Sequence, residues 1–365
     1  MMAIDEYYLL GRSGLRVSRL ALGTMNFGTR GYHAPYGKTL DESRPILWTY
    51  LDAGGNFIDT ADFYTDGESE TILGQLLAET GARDSVVLTT KFTNAMYQGD
   101  PNGGGNGRKF MVRALEDSLR RLRTDYVDLY LLHTWDRLTP IEEVMQTFDD
   151  LARAGKIRYP GISDTPAWIA AAAQTFATAN HLRPLINVQL PYSLIDRAIE
   201  TEHAPMGQTL GLGVTAWSPL AQGFLSGKYH ASDQGTAGSG RLSVTGTAAL
   251  ELTERSWQVL TPLAETADKL GVSMAQVAVN WVATQPGIAS AIVGASSAAQ
   301  LTSTMQALDV EIPAELRVSL DEAGAIPPTS LYRMFTPGYQ EQLINPGIKV
   351  GDKPSGYAPS VRNWT

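Results

Sequence analysis

Eight short apolar runs alternate with helix-patterned segments along this chain, and that alternation limits its fold more than any other feature. The runs cover 20–22, 55–59, 86–90, 127–132, 157–162, 186–189, 213–217 and 289–293. They are mostly non-alternating, as strands buried on both faces of a parallel sheet should be. Between them, residues 43–53 carry Ile46, Leu47, Tyr50 and Leu51 on one helical face. Residues 69–79 do the same with Ile72, Leu73, Leu76 and Leu77, and 110–122 with Met111, Ala114, Leu115, Leu119 and Leu122. Thr139-Pro140-Ile141-Glu142 reads as a helix start, with Thr139 as N-cap, Pro140 at N1 and Glu142 at N3. About eight strand–helix repeats predict an α/β protein, a (β/α)8 TIM barrel.

An eight-fold barrel needs about 250 residues. This chain has 365, which leaves room for an N-terminal β-hairpin over 7–19, long βα loops and an extended C-terminal tail. The expected organisation is one barrel over 1–325 and a tail over 326–365 that packs on it. Its aromatics Tyr332, Phe335, Tyr339, Tyr357 and Trp364 supply the apolar surface for that packing. Two further segments stand outside the pattern: a Gly-rich loop from Asn94 to Lys109, expected to be flexible, and a Gly/Ser/Thr-rich stretch over 222–250. The formal net charge is −9 with no basic stripe, which argues against nucleic acid. There are no cysteines, so disulfides and thiolate chemistry are excluded. No uncharged apolar run is long enough to span a membrane, and the acidic N-terminus does not read as a signal peptide. The expectation is a cytoplasmic protein acting on a small molecule, and a homo-oligomer is compatible with that.

Four polar residues stand at or just past the ends of strand-like runs: Asp59, Tyr64, Lys91 and His133. In a parallel barrel all strand C-termini meet at one rim, so these side chains converge there. An ammonium beside a phenol favours the phenolate and pulls its pKa down. A carboxylate beside the lysine holds that cation in place. The expected product is a phenol able to pass a proton near neutral pH, with an imidazole beside it. That chemistry suits carbonyl reduction.

Several motifs in order resemble the aldo-keto reductase superfamily. They are Leu10-Gly-Arg-Ser-Gly-Leu15, Phe57-Ile-Asp-Thr-Ala-Asp-Phe-Tyr64, Ser118-Leu-Arg-Arg-Leu122 with Asp125-Tyr-Val-Asp-Leu129, Gly155-Lys-Ile-Arg-Tyr-Pro-Gly-Ile-Ser163, Trp217-Ser-Pro-Leu220 and Gly223-Phe-Leu-Ser-Gly-Lys-Tyr229. The resemblance implies a barrel that binds a nicotinamide cofactor without a Rossmann domain. It implies Tyr64 as general acid or base, Lys91 and Asp59 as its tuning pair, and His133 as the residue orienting the substrate carbonyl. The carboxamide would be held by Ser163, Asp164 and Gln189, beside Gly23, Thr24, Met25 and Asp59. Trp217 would stack on the ring, and Ser218, Leu220, Gly223 and Lys228 would follow the pyrophosphate. Gly294, Ser296, Gln300 and Thr304 would meet the adenosine end. Asn26, Phe63, Tyr64, His133 and Trp135 would line the substrate side.

The chain departs from the family pattern at three of these positions. Asp164 replaces the usual Asn; an ionised carboxylate accepts hydrogen bonds but cannot donate them. Ser296 replaces the usual Arg or Lys on the 2′-phosphate of NADP, and Thr304 replaces an Asn. The resemblance therefore implies NADP(H), while these substitutions open the site to NAD(H). Arg241 is a second source of positive charge. The alternative on the same barrel is a cofactor-sensing regulatory subunit. A metal-dependent hydrolase needs clustered histidines, and of five only His133 ends a strand.

Overall fold

The computed structural model describes residues 4–229, 242, 252–344 and 346–348. Arg241, most of the 222–250 stretch, and the tail aromatics Tyr357 and Trp364 lie outside the described residues. Strands β1 (Tyr7–Leu9) and β2 (Arg16–Ser18) form the N-terminal antiparallel hairpin. Eight parallel strands follow: β3 (Leu20–Gly23), β4 (Phe57–Asp59), β5 (Val87–Phe92), β6 (Val127–Leu132), β7 (Ile157–Ser163), β8 (Asn187–Pro191), β9 (Gly213–Trp217) and β10 (Ile288–Val293). They pair in sequence order and β10 closes on β3, giving a closed barrel. The fold is the (β/α)8 TIM barrel with its hairpin, as the alternation predicts.

Two apolar cores hold it. The larger lies between strands and helices, where α1 (Leu40–Asp52), α2 (Glu68–Thr80) and α3 (Arg108–Leu122) bury the faces read from their periodicity. The smaller fills the barrel interior with Ala21, Phe57, Val87, Leu129, Leu131, Ile186, Ala289 and Ile292. Leu10 and Val17 from the hairpin join it, so β1 and β2 plug the N-terminal end. The plug depends on Gly11: its φ is +58°, and a Cβ there would stand 2.3 Å from the Ile186 carbonyl oxygen. The opposite end, where the strand C-termini meet, stays free for side chains that do chemistry.

Two local expectations are corrected. Helix α4 (Ile141–Arg153) begins one residue later than the motif implies, with Pro140 in the N-cap position and no side-chain cap. The Thr139 hydroxyl instead turns toward the preceding loop, donating to Asp136 Oδ2 at 2.7 Å, and caps no amide of the helix. Asp136 also accepts from the Leu138 and Thr139 amides, and this turn sets the register. The Gly-rich loop after β5 is tied down. Asn106 is fully buried, donates to Thr93 Oγ1 and the Thr134 carbonyl, and exchanges hydrogen bonds with Asp136. The Arg113 guanidinium lies over the Tyr97 ring, 3.3 Å from its centroid. In the tail, the Tyr332 hydroxyl donates to Glu202 and its ring meets Phe335 edge-on.

Candidate active site

The C-terminal rim brings Asp59, Tyr64, Lys91 and His133 together. Lys91 points inward from β5, one residue before the strand ends, and is fully buried. Its Nζ donates to Asp59 Oδ1 at 2.6 Å, to the Thr60 carbonyl at 2.8 Å and to the Tyr64 hydroxyl at 3.2 Å. These three acceptors satisfy all three of its N–H bonds. Asp59 closes β4, and its second oxygen accepts from Gln189 Nε2 at 2.8 Å. Tyr64 follows on a turn in which Thr65 and Asp66 take left-handed backbone angles, φ 50° and 56°. The fully buried Thr65 hydroxyl, 2.6 Å from the Phe27 carbonyl, steadies that turn. His133 sits just beyond β6, where its amide donates to the Phe92 carbonyl at 2.9 Å. Its ring meets Tyr64 edge-on at 5.8 Å between centroids.

Burial governs the electrostatics of this group. The Tyr64 hydroxyl is held above the ordinary phenol value, because desolvation outweighs the opposing pull of Lys91. Expecting a net depression of this phenol from its lysine neighbour was therefore wrong: the ammonium limits the rise without reversing it. Lys91 itself is pulled down by burial but raised further by Asp59 and Tyr64, so it stays charged. His133 is held well below the ordinary imidazole value by burial, then by Lys91 and His33, and it is neutral. Its ring therefore carries one N–H donor and one acceptor nitrogen.

The residues expected around a nicotinamide converge on one side of this group. Ser163 and Gln189 are buried at the ends of β7 and within β8. Asp164 follows Ser163 with φ 38°, and its Oδ1 accepts from Trp217 Nε1 at 3.0 Å. Trp217, half-buried, ends β9 and packs against the interior core. Ser163 Oγ and His133 Nδ1 are buried without a hydrogen-bond partner among the described residues. Unpaired buried polar atoms are costly, and a carboxamide and a carbonyl oxygen are groups that would satisfy them. The donor set thus fits a nicotinamide cofactor.

Other expected contacts have different partners. The Thr24 hydroxyl, fully buried, lies 3.0 Å from the Asp59 carbonyl and from Ser69 Oγ. Asn26 donates to the Ala295 carbonyl at 2.8 Å, linking the loops after β3 and β10. Gly23 is packed against Ile292, and Met25 is half-buried. Beyond β9 the backbone turns left-handed at Ser218, Ala221, Gln222 and Gly223, while Leu220 is half-buried and Lys228 exposed. Gly294 and Ser296 are exposed before the helix Ala298–Met305. The Ser296 hydroxyl and amide both donate to Gln300 Oε1, at 2.6 and 2.7 Å. Thr304 is buried and donates back to the Gln300 carbonyl at 2.9 Å.

Sequence reasoning missed His33. It lies in the loop after β3, buried, with its ring 5.5 Å from both Tyr64 and Phe63. Phe63 in turn lies 5.2 Å from His133. Histidine 33 ends no strand; the only signal was its position between Tyr32 and Tyr36. Trp135, half-buried on the loop after β6, meets edge-on at 5.5 Å the exposed Trp168 in the first turn of the helix Ala167–Ala179.

A sequence model described as the aldo/keto reductase family matches residues 19–324. The uncharacterized oxidoreductase YrpG of Bacillus subtilis (strain 168) is 37% identical over 327 residues, covering 87% of this chain and 95% of that protein. A probable voltage-gated potassium channel subunit beta of Oryza sativa subsp. japonica is 37% identical, covering 84% and 92%. An aryl-alcohol dehydrogenase of Pestalotiopsis microspora is 34% identical, covering 84% and 80%. Members of this family generally use NADP(H). No helix among the described residues is long and apolar enough to cross a membrane. The barrel, the rim geometry and the match over nearly its whole length agree: the chain belongs to the aldo/keto reductase family and is an NAD(P)-dependent oxidoreductase.

Proposed function

We propose that the chain interconverts an aldehyde or ketone and its alcohol, with Tyr64 as the proton-transferring residue. The observation that carries this is the buried Lys91 Nζ, bonded at once to Asp59 and to the Tyr64 hydroxyl. When bound, a nicotinamide supplies the hydride that adds to the carbonyl carbon. Ser163, Gln189 and Asp164 would hold its carboxamide, and Trp217 would wall its ring. Tyr64 gives its proton to the carbonyl oxygen as that oxygen gains charge. Lys91 stabilises the phenolate left behind, and Asp59 holds Lys91 in place. Neutral His133 donates its ring N–H to the same oxygen and fixes the carbonyl's direction. In oxidation the proton runs back to Tyr64.

Aryl aldehydes are the first substrate class to try. His33, Phe63, Tyr64 and His133 form an aromatic collar, and one relative is named an aryl-alcohol dehydrogenase. Both cofactors serve this chain, because Ser296 presents a hydroxyl already bonded to Gln300 where a cation would select NADP(H). The likeness to a channel beta subunit favours a second reading, a cofactor-sensing subunit. Steady-state oxidation of NADPH or NADH with a panel of aryl aldehydes tests the first reading. Only a single slow turnover, with stable capture of a channel partner, supports the second.

A further inference from the structure

No cation is bonded to the Asp164 carboxylate among the described residues. Among the described residues its one side-chain partner is the neutral indole N–H of Trp217, 3.0 Å from Oδ1, and it forms no ion pair. Lys91 acts on it through space, but that ammonium is already bonded to Asp59 and Tyr64. The residue is mostly buried, its backbone is held in the left-handed region at φ 38°, and its amide donates to the Gln189 carbonyl at 3.2 Å. It is therefore fixed in the wall made by Ser163, Gln189 and Trp217, where the family's usual residue is an uncharged Asn. The two redox forms of a nicotinamide differ at that wall in one respect: the oxidised ring is cationic and the reduced ring is neutral.

We infer that ionised Asp164 is a redox-state specificity residue, biasing this site toward the oxidised cofactor and so toward alcohol oxidation. The inference rests on the cofactor reading above and extends it. A charge in a partly desolvated wall acts strongly on a neighbouring charge and hardly at all on a neutral ring. Burial raises the Asp164 carboxyl to about 6, which leaves it mostly ionised at neutral pH and protonated on mild acidification. The titratable and charged groups that face it are Lys91, Tyr64 and Asp196. Trp217 does not report on the charge, because an Asn amide oxygen at position 164 can accept the same indole N–H.

The test is equilibrium calorimetry of the full chain with NADP+, NADPH, NAD+ and NADH, comparing wild type with Asp164→Asn. The expected result is that the substitution raises the ratio of oxidised to reduced Kd by about tenfold, equivalent to about 1.4 kcal/mol. A ratio that stays within about twofold of wild type overturns the inference, even if both affinities change together. A second measurement needs no variant. In wild type the same ratio should rise between pH 8 and pH 5.5, because the cofactor phosphates are common to both forms and cancel. A flat ratio overturns the inference, as does a pH dependence that survives in Asp164→Asn, which would belong to Asp196 instead. Wild type that binds none of the four cofactors sinks the cofactor reading itself, whereas binding with an unmoved ratio sinks only this step.

Discussion

Gln189 Nε2 donates to Asp59 Oδ2 at 2.8 Å, joining two side chains 130 positions apart across the mouth of the barrel. Asp59 thus holds Lys91 with one oxygen and is itself held by the other. Gln189→Leu should leave that buried oxygen without a donor, at about 1–3 kcal/mol in stability. It should also lower turnover, since the lysine then sits on an untethered carboxylate. Thermal unfolding and steady-state rates measured side by side check both parts. An unchanged melting temperature would mean that Gln189 serves only the cofactor.

Tyr64→Phe removes the hydroxyl and keeps the ring contacts with His33 and His133. Cofactor affinity should stay within about twofold, and turnover should fall by roughly 10²–10⁴-fold, the range for a lost general acid. Fluorescence titration and stopped-flow hydride transfer separate the two effects. Retained turnover would remove Tyr64 from the chemistry.

Behind the site, fully buried Glu70 accepts from Arg121 Nε at 2.6 Å and from the Thr90 hydroxyl at 2.5 Å, tying α2 to α3 and to β5. Removing one partner of a buried pair strands the other charge. Arg121→Ala should therefore cost about 3–5 kcal/mol, read by urea unfolding. The double change Arg121→Met with Glu70→Gln should cost less than Arg121→Ala, because no charge is left stranded.

Asp62 is fully buried, and its carboxyl oxygens have no hydrogen-bond partner of good geometry among the described residues. Burial, then Glu70, raises it well above the ordinary 3.8. Its folded value lies above its unfolded value, so its contribution is present below 3.8 and is lost as pH rises through the folded value. Asp62→Asn should then stabilise the fold at pH 8 by at least about 1 kcal/mol and by little at pH 4. An equal effect at both pH values would show that Asp62 does not titrate in this way.

His133 shifts in the opposite sense. Its folded value lies well below the usual 6.5, so the unfolded chain binds the proton first. Stability from this residue is present above 6.5 and is lost as pH falls toward the folded value. His133→Gln should flatten the acid side of the stability profile below about pH 6. Chemical denaturation from pH 5 to pH 8 reads this directly.

Periodicity alone determined the barrel, because buried parallel strands and amphipathic helices leave distinct marks in local sequence. The same marks placed Asp59, Lys91 and His133 at one rim, since strand direction is shared by every strand in the ring. Thr139 shows where local reasoning stops: its sequence reads as a cap, yet its hydroxyl turns to Asp136 and the helix starts after Pro140. Tertiary structure decided the rest. The Asp59–Gln189 and Asp164–Trp217 pairs join residues separated by 130 and 53 positions, and no local pattern encodes such partners. The sign of the Tyr64 shift likewise depends on how far water is excluded from the phenol, and that emerges only when the loops and strands close around it.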